Sequence, residues 1–138
     1  MTLEENKQLV RRYQETYNSN ELDALPEVLA ARLLTPKILP GLPPGLEGVR
    51  AAHEIMLRGF PDFHTTMDDL MAEGERVAAR ITMRGTHTGE FMGMAPTGKA
   101  VSLTGMYLVS IEAGKIVEHW GEEDSIGLMT QLGVMLQP

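Results

Sequence analysis

The residues best suited to proton transfer stand together near the C-terminal end of the chain. The stretch KIVEHWGEEDSIGLMTQLG, residues 115–133, begins as an apolar strand and ends as an amphipathic segment. Between these parts lie an imidazole, the chain's only tryptophan and several carboxyl groups: Glu118, His119, Trp120, Glu122, Glu123 and Asp124. A carboxyl group held against apolar walls has a raised pKa, because desolvation disfavours its charged form. Such a group can exchange protons near neutral pH, so this strand end is a candidate acid–base site.

Strand alternation divides these residues between two faces. On a regular strand Trp120, Glu122 and Asp124 share one face, and His119 points to the other unless a β-bulge re-aims it. A face that mixes tryptophan with carboxyl groups is typical of a pocket wall. The alternative is a solvated strand end, and we favour that interpretation for Glu123.

Three further polar residues lie where a ligand could reach them. His87 stands in the GTHTG motif, where it either donates a hydrogen bond to a substrate carbonyl or fixes the loop. His53 lies on the apolar face of a predicted helix, so it is either a core residue or a donor to a ligand oxygen. Tyr17, at the end of the first predicted helix, has the same two interpretations.

The chain has ten methionines, several of them on or beside the predicted strands. Methionine is flexible and polarizable, so it adapts to flat or polycyclic molecules, although ordinary core filling explains it equally well. We include Met83, Met106 and Phe91 as candidate lining of a wide apolar pocket. The four histidines do not follow any metal-binding spacing, so no metal site is predicted.

Length and composition limit the function further. The 138 residues predict a single domain, 1–138. The net charge of −7 argues against binding to nucleic acid, which requires a basic face. The chain has no cysteine, its N-terminal segment is polar, and no apolar run is long enough for a membrane span. We therefore expect a cytoplasmic protein without a membrane partner.

The periodicity predicts helices first and strands afterwards. Residues 2–60 read as three helices, the first with a capping box at Thr2 and Glu5, and the third running from near Glu47 to the FPD motif at 60–62. The short second helix begins at Asn20 and carries an apolar stripe of Leu22, Leu25, Val28 and Leu29. Between the second and third helices, the proline-rich segment 35–48 predicts a fixed apolar loop containing Ile38, Leu39, Leu42 and Leu46.

Residues 63–124 alternate as strands, and Gly-containing turns at 72–76 and 112–115 predict antiparallel hairpins. A last short helix spans 125–132. Helices followed by antiparallel strands predict an α+β fold.

Four motifs resemble one known family. They are FPDF (60–63), GTHTGEFMGMAPTGK (85–99), PGLPPGLEG (40–48), and GKIVEHWGEED with QLG (114–124 and 131–133). Together they resemble the SnoaL-like polyketide cyclases of the NTF2-like superfamily. The resemblance implies a cone-shaped, curved antiparallel or mixed sheet packed with three N-terminal helices and a short C-terminal helix. It also implies an open hydrophobic pocket for a hydrophobic small-molecule substrate, a homo-oligomer and no cofactor.

The resemblance also implies an activity, an intramolecular aldol condensation that closes a polyketide ring. Asp124 matches the acid–base residue of that family, with His87, His119 and His53 as candidates to stabilise the enolate. Many relatives have a histidine just before the PGxPPG loop, where this chain has Thr35, which cannot titrate near neutral pH. That difference leaves two alternatives: an isomerase or epoxide hydrolase on the same fold, and a non-catalytic binder of hydrophobic molecules.

The outer face of the predicted sheet indicates self-association. It carries Ala78, Thr82, Thr104, Met106 and Leu108, which is more apolar and β-branched surface than a solvated sheet usually shows. We expect a homodimer or a higher homo-oligomer built through this face, with Arg80 and Arg84 at the interface.

Overall fold

The computed structural model describes residues 1–35 and 41–134 of the chain. Helix α1 (Leu3–Asn18) begins at the predicted capping box, in which Thr2 Oγ1 accepts a hydrogen bond from the Glu5 N–H at 3.1 Å. The Glu5 carboxylate accepts from the Thr2 N–H at 2.9 Å in return. This reciprocal pair satisfies two N–H groups that have no partner within the helix, so the capping prediction is confirmed.

The remaining elements form one open, curved sheet with helices packed on it. The strands are β1 (Leu29–Leu34), β2 (His64–Glu73), β3 (Arg76–Thr86), β4 (Ala100–Glu112) and β5 (Lys115–Glu123). Their order is β1-β5-β4-β3-β2, with β1 parallel to β5 and all other neighbours antiparallel. Helix α2 (Gly45–Gly59) precedes β2, and α3 (Ser125–Gln131) follows β5. The predicted α+β class and the mixed curved sheet are confirmed.

The predicted short second helix is present as a 3-10 helix, and the strand that follows it was not predicted. Residues Leu22–Glu27 form a single 3-10 helix that contains Pro26, and the chain then becomes strand β1. The sequence of β1, LAARLL, is rich in helix-forming residues and does not alternate. It is a strand because its backbone pairs with β5, beginning where the Ile116 N–H donates to the Val28 carbonyl at 2.9 Å. Tertiary pairing overrides weak local propensity here.

A β-bulge in β5 changes the predicted faces of the strand. Ile111 pairs with Ile116, but Ser110 pairs with Glu118, so Val117 is an extra residue on β5. After this bulge, His119, Gly121 and Glu123 share the inner face with Ile116. Trp120 and Glu122 consequently lie on the outer face.

The GTHTG motif joins β3 to the rest of the molecule through a close backbone contact. The Gly89 N–H donates to the Gly59 carbonyl at the end of α2 at 3.1 Å. A Cβ atom at Gly89 would lie 1.8 Å from the Arg58 carbonyl oxygen, so only glycine fits at this position. The predicted apolar loop falls partly outside the described residues, which include its half-buried Leu42 and Leu46 but not Ile38 or Leu39.

Candidate active site

Two glycines leave part of the inner face of the sheet without side chains of their own, and we call the region over them the hollow. Gly105 of β4 pairs with Glu123 of β5, and Gly121 of β5 pairs with Tyr107 of β4. Paired residues on antiparallel strands share a face, so both glycines point inward without a side chain. A Cβ atom at Gly105 would lie 3.2 Å from Glu123 Cγ, and one at Gly121 would lie 3.6 Å from the His119 ring, so these two side chains border the space over the glycines. Tyr13 of helix α1 faces the same region.

Aromatic side chains surround the hollow. The ring of Tyr13, on α1, lies 6.0 Å from that of Tyr107 and 5.8 Å from the imidazole of His119, measured between centroids. The Tyr107 and His119 rings are 4.8 Å apart, and the Tyr13 and Tyr17 rings are 6.3 Å apart. We call these four residues, Tyr13, Tyr17, Tyr107 and His119, the tyrosine–histidine cluster.

His53 lies next to this cluster and links it to Asn20. Its imidazole is completely buried and lies edge-on to Tyr17, with 4.2 Å between centroids. His53 Nε2 is 2.8 Å from Asn20 Oδ1, which accepts the hydrogen bond if Nε2 carries the proton. Nδ1 is buried and has no hydrogen-bond partner among the described residues. The predicted site residues His53, Tyr17 and His119 are thus brought together.

Burial fixes the protonation states in the cluster. It lowers the pKa of His119 to about 4, because an imidazolium ion would lose its hydration, so the ring is neutral at pH 7. Burial also raises the pKa values of Tyr13 and Tyr17, and the negative charge of Glu123 raises both further. The two phenols therefore keep their protons and can donate hydrogen bonds to a ligand.

Glu123 and Asp124 are adjacent in sequence but differ in their surroundings. Glu123 lies on the inner face at the solvent-accessible rim of the hollow, and desolvation raises the pKa of its carboxyl group. Asp124 follows the strand and is the N-cap of α3, where its Oδ1 accepts from the Gly127 N–H at 2.9 Å. Its side chain is exposed, and the residue lies beyond the end of β5, where strand alternation no longer applies.

His87 and Phe91 belong to a different part of the core. His87 is fully buried, its Nδ1 lies 3.0 Å from Thr97 Oγ1, and its ring packs 5.3 Å from that of Phe60. Phe91 is buried against the same Phe60 ring. The contacts of His87 are those of a residue that fixes the loop after β3, and the structure does not bring it to the tyrosine–histidine cluster.

The expected pocket wall of Trp120, Glu122 and Met106 lies on the outer face of the sheet. Met106 pairs with Glu122, and Trp120 pairs with Leu108, all opposite to the side that α1 covers. The Trp120 Nε1–H donates to the Glu118 carboxylate on that face. The placement expected for Trp120 and Glu122 was wrong because the bulge at Val117 reverses the alternation of β5, whereas Met106 lies on the outer face by the regular alternation of β4. Met83, by contrast, is buried on the inner face, one residue pair beyond the hollow.

Two open depressions lie elsewhere on the molecule. One of about 630 Å³ borders the 3-10 helix and includes Asn20 and Arg50, and another of about 430 Å³ includes His64, Arg84 and Gln131. Neither depression is lined by Asp124, by Glu123 or by the tyrosine–histidine cluster. In the described parts of the chain, no group of three or more His, Asp or Glu residues could hold a metal ion. No helix among residues 1–35 and 41–134 is long and apolar enough to cross a membrane.

Sequence reasoning missed Tyr13, Tyr107 and Glu123 as site residues. Tyr13 is four residues before Tyr17, so helical spacing already places both on one face of α1. Tyr107 falls on the inner face of β4 by simple alternation. Glu123 had no such signal, because its orientation depends on the bulge.

Comparison with known proteins points to one family. A family model described as SnoaL-like polyketide cyclase matches residues 7–132. The chain is 32% identical over 128 residues to the aklanonic acid methyl ester cyclase DnrD of Streptomyces peucetius, covering 91% of this chain and 88% of the relative.

Solved structures give the same picture of the fold. The chain superposes on TsrD from Streptomyces laurentii with a TM-score of 0.87 and 30% identity, covering 98% of this chain and 99% of TsrD. It superposes on AclR from Streptomyces galilaeus, provisionally named a hydroxylase, with a TM-score of 0.86 and 30% identity, covering 99% and 89% of the two chains. Because similar chains carry different names, the reaction has to be argued from the site.

Proposed function

Since the chain belongs to the SnoaL-like polyketide cyclase family, we propose that it closes a ring in a polyketide methyl ester by intramolecular aldol chemistry at the tyrosine–histidine cluster. The observation that carries this proposal is the tyrosine–histidine cluster itself, in which protonated phenols and a neutral imidazole share the inner face of the sheet with a carboxyl group of raised pKa. These groups can move protons and stabilise an enolate without any redox step.

The reaction has three steps that balance without a co-reactant. A base removes a proton from a carbon next to a carbonyl group, which leaves an enolate. The carbanion attacks a second carbonyl carbon of the same molecule, so a C–C bond forms and the carbonyl oxygen becomes an alkoxide. The alkoxide then takes a proton, and the hydroxy ketone is an isomer of the substrate.

The side chains of the cluster match these steps. Tyr13 and Tyr17 donate hydrogen bonds to the developing enolate oxygen, and their raised pKa values keep the donors protonated. Neutral His119 is a further donor or acceptor. The base is a carboxyl group at the end of β5, where Asp124 matches the family motif and Glu123 is its neighbour.

The surrounding apolar residues contribute by holding the substrate in a folded conformation. Phe63 lies 6.0 Å from Tyr17 between ring centroids, and Met83 and Ile81 continue this wall along β3. A flexible chain loses conformational freedom when its two reacting carbons are brought into contact. When the site holds them in contact, this loss occurs on binding and no longer adds to the barrier of the reaction. An apolar wall beside a few polar groups is the usual composition of a small-molecule site.

The outer face of the sheet supports a homodimer. Met71, Ala78, Leu108 and Trp120 form a continuous row across four strands by their pairing. Met71 is 69% exposed, Met106 56% and Trp120 44%. Exposed apolar surface of this kind is typical of an interface, and a two-fold axis would let the same row cover itself.

Ring closure of aklanonic acid methyl ester tests the proposed function. The purified chain is incubated with this ester in the presence of a chelator, and the product is analysed by chromatography, mass spectrometry and NMR. We expect a product of unchanged mass with a new C–C bond, formed faster than in buffer alone. Unchanged substrate would contradict the proposal, and a product with one added oxygen atom would indicate a hydroxylase instead.

A further inference from the structure

We infer that Gln131 is a positioning residue for ring closure, because its side chain holds helix α3 on strand β4 and so fixes the carboxyl group of Asp124. Gln131 opens the QLG motif, residues 131–133, whose role the fold and the proposed site leave open. This inference rests on the proposed function, with Asp124, the carboxyl group that matches the family motif, as the base. Gln131 acts only through Asp124 and touches no substrate.

Strand β4 extends past the end of its neighbour β5. The outermost residue pair of the two strands is Gly105 with Glu123. The Asp124 N–H adds one more bond, to the Thr104 carbonyl at 2.9 Å, before the chain turns into α3. At Ser102, two residues nearer the start of β4, the described part of the chain places no strand on this side. The backbone N–H and C=O groups of Ser102 therefore need partners of another kind.

The side-chain amide of Gln131 supplies both partners. Its Oε1 accepts a hydrogen bond from the Ser102 N–H at 2.7 Å, and its Nε2–H donates to the Ser102 carbonyl at 2.7 Å. A residue of a neighbouring antiparallel strand exchanges the same pair of bonds, so this amide takes the place of a strand. Ionised glutamate would lack the donor, and asparagine carries the amide on a side chain one methylene shorter.

Gly127 connects Gln131 to the carboxyl group of Asp124. The Gln131 Nε2–H also donates to the Gly127 carbonyl at 3.2 Å, and the Gly127 N–H donates to Asp124 Oδ1 at 2.9 Å. A Cβ atom at Gly127 would lie 2.2 Å from Asp124 Oδ2, so only glycine lets the carboxyl group lie this close to the first turn of α3. The orientation of the carboxyl group therefore follows the position of that turn.

Helix α3 is too short to hold its own position. It has seven residues, and a helix of this length is not stable in water without tertiary contacts. Leu128 within the helix and Leu132 just after it are buried in the core, and the strand ladder fixes the start of the helix. The pairing of Gln131 with Ser102 fixes its end. Without this pairing the helix can rotate about its buried leucines, and Gly127 moves with it.

A double-mutant cycle tests whether Gln131 acts through Asp124. Gln131→Met keeps the length of the side chain and removes the amide, whereas Asp124→Asn removes the acid and keeps the helix cap. Ring closure of aklanonic acid methyl ester is measured for the wild type, both single variants and the double variant. We expect Gln131→Met to lower kcat about tenfold with KM little changed, because a misplaced base slows the chemical step more than it weakens binding. In the Asp124→Asn background the same change should have no further effect.

Hydrogen exchange tests the pairing itself, without any substrate. Exchange of the Ser102 and Gly127 N–H groups is followed by NMR, and Gln131→Met should accelerate it at both. Thr130→Val is the matched control, because Thr130 is the neighbouring residue on α3 and its Oγ1–H bonds within the helix, to the Ile126 carbonyl at 2.9 Å. This control should keep the wild-type kcat and exchange rates. Circular dichroism confirms that each variant is folded, and Gln131→Asn replaces Gln131→Met if the latter does not fold.

Every outcome decides the role of Gln131. An unchanged kcat in Gln131→Met overturns it, as does an equal loss of kcat in the wild-type and Asp124→Asn backgrounds, since Gln131 would then act independently of Asp124. Full activity of Asp124→Asn also overturns it, because no base would remain to be positioned. An inactive wild type overturns the proposed function, whereas unchanged exchange at Ser102 and Gly127 overturns the pairing alone.

Discussion

Individual side chains in the tyrosine–histidine cluster are held in their neutral forms by burial. His119 is half-buried between Tyr13 and Tyr107, and its pKa is about 4 because the imidazolium ion would be desolvated there. The phenols keep their protons for the same physical reason. Neutral donors and acceptors of this kind can hydrogen-bond a ligand oxygen without carrying a charge of their own.

The neutral state of His119 makes stability depend on pH. Between about pH 6.5 and pH 4 the unfolded chain protonates this histidine, whereas the folded chain leaves it neutral. The free energy of unfolding should therefore decrease as the pH falls through this window, by at most about 1.4 kcal/mol per pH unit from this residue. Urea unfolding of the wild type and of His119→Gln at several pH values measures this contribution.

The His119→Gln variant should lose less stability on acidification than the wild type. His64→Gln, at an exposed position at the start of β2, is the control for replacing a histidine by glutamine elsewhere in the chain. Other titratable groups also make the free energy of unfolding depend on pH, and Glu123 does so with the opposite sign because its pKa is raised in the folded chain. These contributions are largely the same in all three proteins. Parallel pH curves for the wild type and His119→Gln would contradict the low pKa.

At the scale of elements, strand β5 decides which chemistry the chain can do. The sequence predicted the strand, its hairpin partner and the concentration of carboxyl groups at its end. It did not reveal the extra residue Val117, because a bulge is defined by pairing with β4 and leaves no local pattern. One inserted residue brings His119 and Glu123 inside and moves Trp120 and Glu122 outside.

The other elements show the same division between local and non-local information. The capping box of α1 and the alternation of β3 and β4 are local signals, and the structure confirms them. Strand β1 depends on a parallel partner more than 80 residues away, so its leucine- and alanine-rich sequence carries no local signal for a strand. Non-local pairing likewise determines the hollow, since Gly105 and Gly121 become neighbours only when β4 and β5 pair.

At the scale of the whole molecule, the two faces of the sheet differ in composition, and we propose a different role for each. The inner face carries the proposed site, and the outer face carries the apolar row from Met71 to Trp120. Some charges on that outer face already have partners within the chain: Arg80 lies 3.8 Å from Asp68, and Arg76 4.0 Å from Glu118. The apolar row between them is the surface best suited to a second copy.

A charge introduced into that row should separate the proposed dimer. The variant Met71→Glu/Met106→Glu places carboxylates at two exposed positions, so the fold should tolerate them while a covered interface would not. Met92→Glu, at a 54% exposed position outside the sheet, is the control. Light scattering at micromolar concentration should give twice the 15.2 kDa chain mass for the wild type and the control. The single-chain mass for the wild type would contradict the dimer.

The central claim is that the polyketide ester binds on the inner face of the sheet, beside the hollow between Gly105 and Gly121. Methionine methyl groups report on this directly, because Met83 is buried on the inner face while Met71 and Met106 are exposed on the outer face. The measurement is a titration of ¹³C-methyl-methionine-labelled protein with the cyclised product of aklanonic acid methyl ester, followed by NMR. We predict a saturable shift of the Met83 signal, with the Met71 and Met106 signals unchanged. Shifts confined to the Met71 and Met106 signals, or no shift at a saturating concentration of the cyclised product, would contradict the account.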